Sequence, residues 1–161
     1  MKKNLFLTVA VVALFSFLTT NVHAQENKFS AGGGLTYATE IDEAGLFAKG
    51  IYHFTPKWEA SLSGTYYFVD GATFLGFDPD VHYVFYNNEK NLACYGLAGL
   101  NILTVKAGGF SANEIGINLG LGLRYKFTNN LSLNPSLKYV IATEDGSDGY
   151  FGLNIGLMYS F

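Results

Sequence analysis

The chain has 161 residues, of which only 14% are charged and 16% are aromatic, with 19 glycines and a single cysteine. An average soluble domain carries about 25% charged residues, and a formal charge of −3 offers no basic surface for nucleic acid. Cys94 stands alone, which excludes an internal disulfide; on a strand wall it reads as a small apolar filler.

Residues 1–24 read as a targeting segment. Lys2 and Lys3 give a positive start, residues 5–18 are apolar except for Thr8 and Ser16, and Val22-His23-Ala24 resembles a small-x-small cleavage site. This pattern predicts a cleaved secretory signal peptide, too short to span a bilayer comfortably, and a mature chain starting at Gln25. No cysteine follows the cleavage point, so no lipid anchor is expected. Residues 25–161 form one domain on length. Without Lys2 and Lys3 there are eight basic against 13 acidic side chains, a formal charge of −5. No apolar run there is long enough for a membrane helix, so crossing a bilayer would require a closed barrel in which every backbone group is paired.

The rest of the chain alternates with a period of two. Strands are predicted over residues 28–38, 44–54, 58–69, 77–86, 91–103, 114–127, 131–142 and 149–161. Turns or loops are predicted over 39–43, 55–57, 70–76, 87–90, 104–113 (the longest), 128–130 and 143–148. In the sixth strand Ile115, Ile117, Leu119, Leu121, Leu123, Tyr125 and Phe127 share one face, and Glu114, Gly116, Asn118, Gly120, Gly122, Arg124 and Lys126 share the other. In the last, Phe151, Leu153, Ile155, Leu157, Tyr159 and Phe161 oppose Gly152, Asn154, Gly156, Met158 and Ser160. The register of the fifth strand stays open, because both Leu92/Cys94/Ala98/Leu100 and Tyr95/Leu97 suit an outward face. Pro135 removes a ladder donor from the seventh strand and predicts a bulge or a local break in pairing.

Volume decides which face is inside. The lumen of an eight-stranded barrel is just wide enough to be filled by side chains, and the bulky apolar face cannot fit there. The small, polar face can. Apolar outside and polar inside requires lipid outside, so the prediction is an all-β, eight-stranded antiparallel up-and-down transmembrane β-barrel. The aromatics agree. Phe29, Phe54, Trp58, Phe85, Phe127, Tyr159 and Phe161 fall at the turn end as membrane-interface residues, and Tyr37, Tyr66, Phe68 and Phe151 at or near the loop end.

With its signal segment, strand count, Gly-rich polar face and Gly-Leu-Met-Tyr-Ser-Phe ending, the chain resembles the small outer-membrane β-barrel family, the OmpA/OmpX-like eight-stranded barrels. The resemblance implies a location in the bacterial outer membrane, lipid and lipopolysaccharide as surroundings, and Tyr159 and Phe161 as the terminal aromatic signal read by the barrel-assembly machinery. A monomer is expected, without cofactor, metal or nucleic-acid partner, and with no peptidoglycan-binding domain after the barrel.

Lys49, Glu59, Asp80, His82, Glu114, Arg124, Lys126 and Lys138 are expected in the lumen, where buried charges must be paired. They would form a salt-bridge ladder that plugs the barrel, or alternatively line a narrow ion path or a small-ligand site. The leading function is therefore a structural or interaction barrel with short extracellular loops, and the alternative is a porin-like channel or binding barrel. Asp80 and His82 lie two apart on one face and invite comparison with a lipid-modifying hydrolase. Both point into the lumen, however, and the His-x-Ser pair of the lipid A deacylase barrels is missing, so no enzyme is expected. The acidic loop half could hold divalent cations; Glu144-Asp145-Gly146-Ser147-Asp148 is loosely calcium-loop-like but lacks the full ligand spacing. A soluble lipocalin-like carrier with the faces reversed is a third reading.

Overall fold

The computed structural model describes residues 28–88, 90–143 and 149–161. The predicted signal peptide and residues 144–148 lie outside the described residues. Nine β segments follow one another: β1 (Phe29–Ala38), β2 (Glu43–His53), β3 (Trp58–Tyr67), β4 (Ala72–Asn87), β5 (Leu92–Ala107), β6 (Phe110–Lys126), β7 (Leu131–Leu133), β8 (Ser136–Ala142) and β9 (Tyr150–Ser160). Each pairs antiparallel with its neighbours, and β9 returns to β1 from Ser30↔Ser160 to Ala38↔Gly152. β7 and β8 both lie between β6 and β9. They are two pieces of one stave, so the closed barrel has eight.

The break between β7 and β8 falls at Asn134–Pro135, where the missing proline N–H was expected to interrupt pairing. The interruption is confined to that point. Leu123 N–H still donates to Pro135 O (2.9 Å) and Asn134 N–H to Gly156 O (2.8 Å). Pro79 acts similarly in β4, whose pairs with β5 skip from Phe77↔Ile102 to Asp80↔Gly99 without a change of register. A bulge at Phe85 then shifts the register by one residue between Val84 and Tyr86.

Three turns at one end share a local device. A side-chain oxygen at the first position takes up the backbone N–H groups of the turn: Thr55 Oγ1 accepts from Trp58 N–H (2.9 Å), Asn88 Oδ1 from Leu92 N–H (2.8 Å) and Thr128 Oγ1 from Leu131 N–H (3.0 Å). These are the Asx and ST turns that Asn and Thr favour.

The opposite end differs from expectation. The predicted loop over 104–113 is a continuous hairpin instead, paired out to Ala107↔Phe110. Gly108 (φ 56°) and Gly109 (φ 88°) supply the two left-handed residues that a two-residue hairpin turn needs. The predicted loop over 70–76 is likewise shortened, because β4 already begins at Ala72. β8 leaves β6 at Gly116↔Ala142, so the β6 edge runs six residues further, about 20 Å at the usual strand rise. The expected longest loop is thus a β4–β5–β6 extension standing above the rim, with Phe110 exposed at its tip.

Which face lies inside is unambiguous. Leu119, Leu121, Leu153 and Ile155 are 48–63% exposed on the outer surface, which removes the reversed, lipocalin-like arrangement. Inside are Ser30, Thr36, Ser61, Ser63, Thr65, Asn101, Asn118, Ser132, Asn154 and the charged groups described below. The fifth strand turns Ala93, Tyr95, Leu97, Asn101 and Leu103 inward. At the loop end Ala38, Tyr67, Leu103, Val140 and Tyr150 form an apolar layer beneath the extension, with Ile41, Val69, Phe74 and Val105 packed against it.

Candidate functional site

The candidate site is the polar interior, and its hub is Glu59 near the turn end. Arg124 reaches it from β6, three staves away from β3, and donates Nη1 to Oε1 and Nη2 to Oε2, both at 2.8 Å. This two-pronged fit matches a guanidinium to a carboxylate. Two histidines share the same carboxylate. His53 Nδ1 lies 2.9 Å from Oε1, and His82 Nδ1 lies 3.4 Å from Oε2. Each imidazole is held at its far side by a serine, with Ser30 Oγ 2.9 Å from His53 Nε2 and Ser61 Oγ 3.0 Å from His82 Nε2.

Tyr95 anchors the same layer. It stacks on His82 with centroids 4.5 Å apart and donates its hydroxyl to Asn134 Oδ1 at 2.6 Å. Its ring lies across Gly122, where a Cβ would clash with it. The bulky interior residue and the bare backbone opposite it are therefore one packing unit.

A second network sits nearer the loop end. Lys138 Nζ, on the seventh stave, meets Asp78 of β4 at 2.6 Å. Asp78 also accepts from Asn101 Nδ2 (2.7 Å) and Asn118 Nδ2 (3.1 Å), and Asn118 Nδ2 lies 2.8 Å from Asp80 Oδ1. Tyr150 closes the layer by donating to Asn101 Oδ1 at 3.2 Å. Lys49 is buried above the Phe47 ring, 5.7 Å from its centroid, and makes no ion pair within 4 Å among the described residues. Among the described residues, the buried polar atoms Asn118 Oδ1, Arg124 Nε and Asn134 Nδ2 have no hydrogen-bond partner.

Six of the eight predicted lumenal charges, Lys49, Glu59, Asp80, His82, Arg124 and Lys138, are buried in this interior. Two are not brought into it. Lys126 is exposed at the turn end; it shares a face with Arg124 but sits at the last residue of β6, past the point where opposing staves enclose it. Glu114 is half-buried at the loop-end rim beside Glu40, Val140 and Tyr150. Asp78, which was not among the eight, is buried inside as well. Its parity with Asp80 and His82 was the signal. Asn101, Tyr95 and Asn134 were missed because the fifth-strand register was open and Pro135 obscured the seventh.

Chemically, the arrangement fixes groups rather than exposing them. Ser30, His53 and Glu59 have the connectivity of a serine–histidine–acid relay, but Ser30 is 2% exposed and its other contact is Ser160 Oγ at 2.9 Å. It anchors an imidazole and leaves an acyl group no approach. Asp80 and His82 do not bond to each other; His82 pairs with Glu59 and Asp80 with Asn118.

The sequence matches the model of the outer membrane protein beta-barrel domain over residues 10–161. The chain belongs to this family. An outer-membrane barrel of this family resides in the bacterial outer membrane, with its exposed apolar face against lipid. The N-terminal β-barrel domain of Pseudomonas aeruginosa OprF superposes with a TM-score of 0.71 at 20% identity, covering 85% of this chain and 100% of that one. Neisserial surface protein A gives 0.66 at 16% identity, covering 86% and 100%. Yersinia pestis Ail, the attachment invasion locus protein, gives 0.57 at 20% identity, covering 85% and 100%. These likenesses establish the fold. No curated protein matches the sequence.

In a barrel of this family the short turns face the periplasm and the longer connections face outward. Phe29, Phe54, Trp58, Phe85, Phe127, Tyr159 and Phe161 are all exposed and cluster at the periplasmic end. Trp58 packs on Tyr83 at 4.9 Å and Phe29 on Phe161 at 5.9 Å, between ring centroids. The second pair rivets the first strand to the last. The β4–β5–β6 extension is then extracellular, and at its tip an open cleft of about 470 Å³ runs from Gly71–Thr73 to Lys106–Ser111.

Proposed function

We propose that the protein is a structural and interaction barrel of the outer membrane, closed to solutes along its axis and presenting its extracellular extension to partners. The observation that carries this is the pair of ion bridges, Glu59–Arg124 and Asp78–Lys138, each joining staves three apart across the interior. Two bridges at different depths, with Tyr95 and His82 stacked in the interior, support a lumen filled by side chains, as expected of an eight-stave barrel. A cut through both bridges would require four buried charges to part at once, which is costly in a low-dielectric interior.

The lipid-facing surface suits phospholipid in one leaflet and lipopolysaccharide in the other, and Tyr159 and Phe161 on β9 serve as the signal for barrel assembly. The barrel acts as a monomer. The deciding experiment is conductance across a planar bilayer: the purified protein gives no unitary current steps. Steady steps that disappear in Glu59→Ala or Arg124→Ala would replace this role with that of a narrow channel.

A further inference from the structure

Charge outside the barrel is sorted by end. Among the described residues the exposed carboxylates Glu40, Asp42 and Asp70, with half-buried Glu43 and Glu114, lie at the extracellular end. The periplasmic end carries Lys28, Lys57, Lys90 and Lys126, all exposed, and no exposed carboxylate side chain among the described residues.

The four lysines are also evenly spread. Lys28 precedes β1, Lys57 lies in the β2–β3 turn, Lys90 in the β4–β5 turn, and Lys126 ends β6. One amine therefore stands at each successive pair of staves, about a quarter of the rim apart. Three of them immediately precede an outward aromatic: Lys28–Phe29, Lys57–Trp58 and Lys126–Phe127, whose rings are 37%, 50% and 55% exposed. Exposed rings at headgroup depth with amines on the same rim are the combination by which side chains grip a membrane interface and reach phosphate. An anionic polymer lying across the periplasmic mouth would need the amines but not the rings beside them.

We propose that this lysine ring binds anionic phospholipid headgroups in the periplasmic leaflet, selecting phosphatidylglycerol-type lipids over zwitterionic ones around the barrel. The acidic opposite end does not share in it; Lys106 is the one described cation outside the lumen there. Because lysines near a surface are drawn to anionic lipid through a screened field, the selectivity weakens as salt is raised.

The test uses the full chain refolded into phosphatidylcholine vesicles doped with spin-labelled lipid. The association of spin-labelled phosphatidylglycerol is compared with that of spin-labelled phosphatidylcholine by electron paramagnetic resonance. The expected preference for phosphatidylglycerol is roughly threefold or more, falling towards unity in Lys57→Gln/Lys90→Gln/Lys126→Gln and at high salt, and unchanged in Lys106→Gln. The single variants Lys57→Gln and Lys126→Gln give stepwise losses and serve if the triple variant does not fold. Equal association of both lipids with the wild-type protein overturns the proposal, as does a preference that survives the triple variant. So does capture by purified peptidoglycan that depends on the three lysines while no lipid preference is seen.

Discussion

Truncating Arg124 to alanine strips Glu59 of both guanidinium donors while leaving the carboxylate buried. The penalty for a stranded buried charge is about 3–5 kcal/mol, measurable as a lower urea midpoint for loss of the folded gel band in lipid vesicles. Replacing both partners at once, Glu59→Met with Arg124→Met, is expected to cost clearly less than Arg124→Ala alone, because no unpaired charge remains. Gly122→Ala tests the other half of the layer. The added methyl must push Tyr95 off its place above His82, and overpacking of this kind costs about 1–3 kcal/mol; near-ultraviolet circular dichroism reports the displaced ring. At this scale the sequence was only partly legible. Parity placed Glu59, His82, Arg124 and Lys138 on the small-residue face, but it could not say that Glu59 would gather Arg124 and both histidines. That grouping depends on which staves stand opposite across the lumen, and strand periodicity is blind to it. Lys126 shows the complementary failure: the right face, but past the end of the enclosure.

The β5–β6 hairpin is the element that departed furthest from expectation. Its residues 104–113 lack a bulky alternating face, so they read as a loop; what makes them strands is the Gly108–Gly109 turn and a partner chain already in register from the membrane below. Substituting both glycines by valine forces branched residues into left-handed backbone, at about 1–2 kcal/mol each. Since this turn stands clear of the barrel, the expected outcome is local: faster tryptic cleavage at Lys106 with the heat-shifted gel band unchanged. Loss of the folded band would mean that the hairpin is part of the barrel's stability. The fifth strand was ambiguous for a different reason. Ala93, Tyr95 and Leu97 bring apolar groups to the inner face, so both faces looked greasy; these groups pack at the level of the Glu59–Arg124–His82 layer, and only the pairing partners decide the parity.

For the whole molecule, the outward leucines make the solvent assignment testable. Leu121, 63% exposed, lies midway along the part of β6 that pairs with the seventh stave, Gly116 to Lys126, and Leu121→Arg is expected to cost about 2–4 kcal/mol when folded into a bilayer, with a smaller effect at the rim position Tyr125→Arg. The intact protein should migrate differently boiled and unboiled, as a closed sheet resists detergent until heated. The fold at this scale was the most legible part of the sequence, because eight repetitions of one alternating pattern leave few other ways to pair every backbone group in hydrocarbon. The partnership of β1 with β9 carries a last consequence. Ser30 and Ser160 are joined across 130 positions of chain, so the ring can be fastened only when the final strand has been delivered. Until then the opening strand and the penultimate stave each expose a raw margin of amides, which lipid cannot satisfy. Fastening is therefore a single late event, and the protein enters the bilayer either as a complete hoop or with another sheet temporarily holding its two loose selvedges.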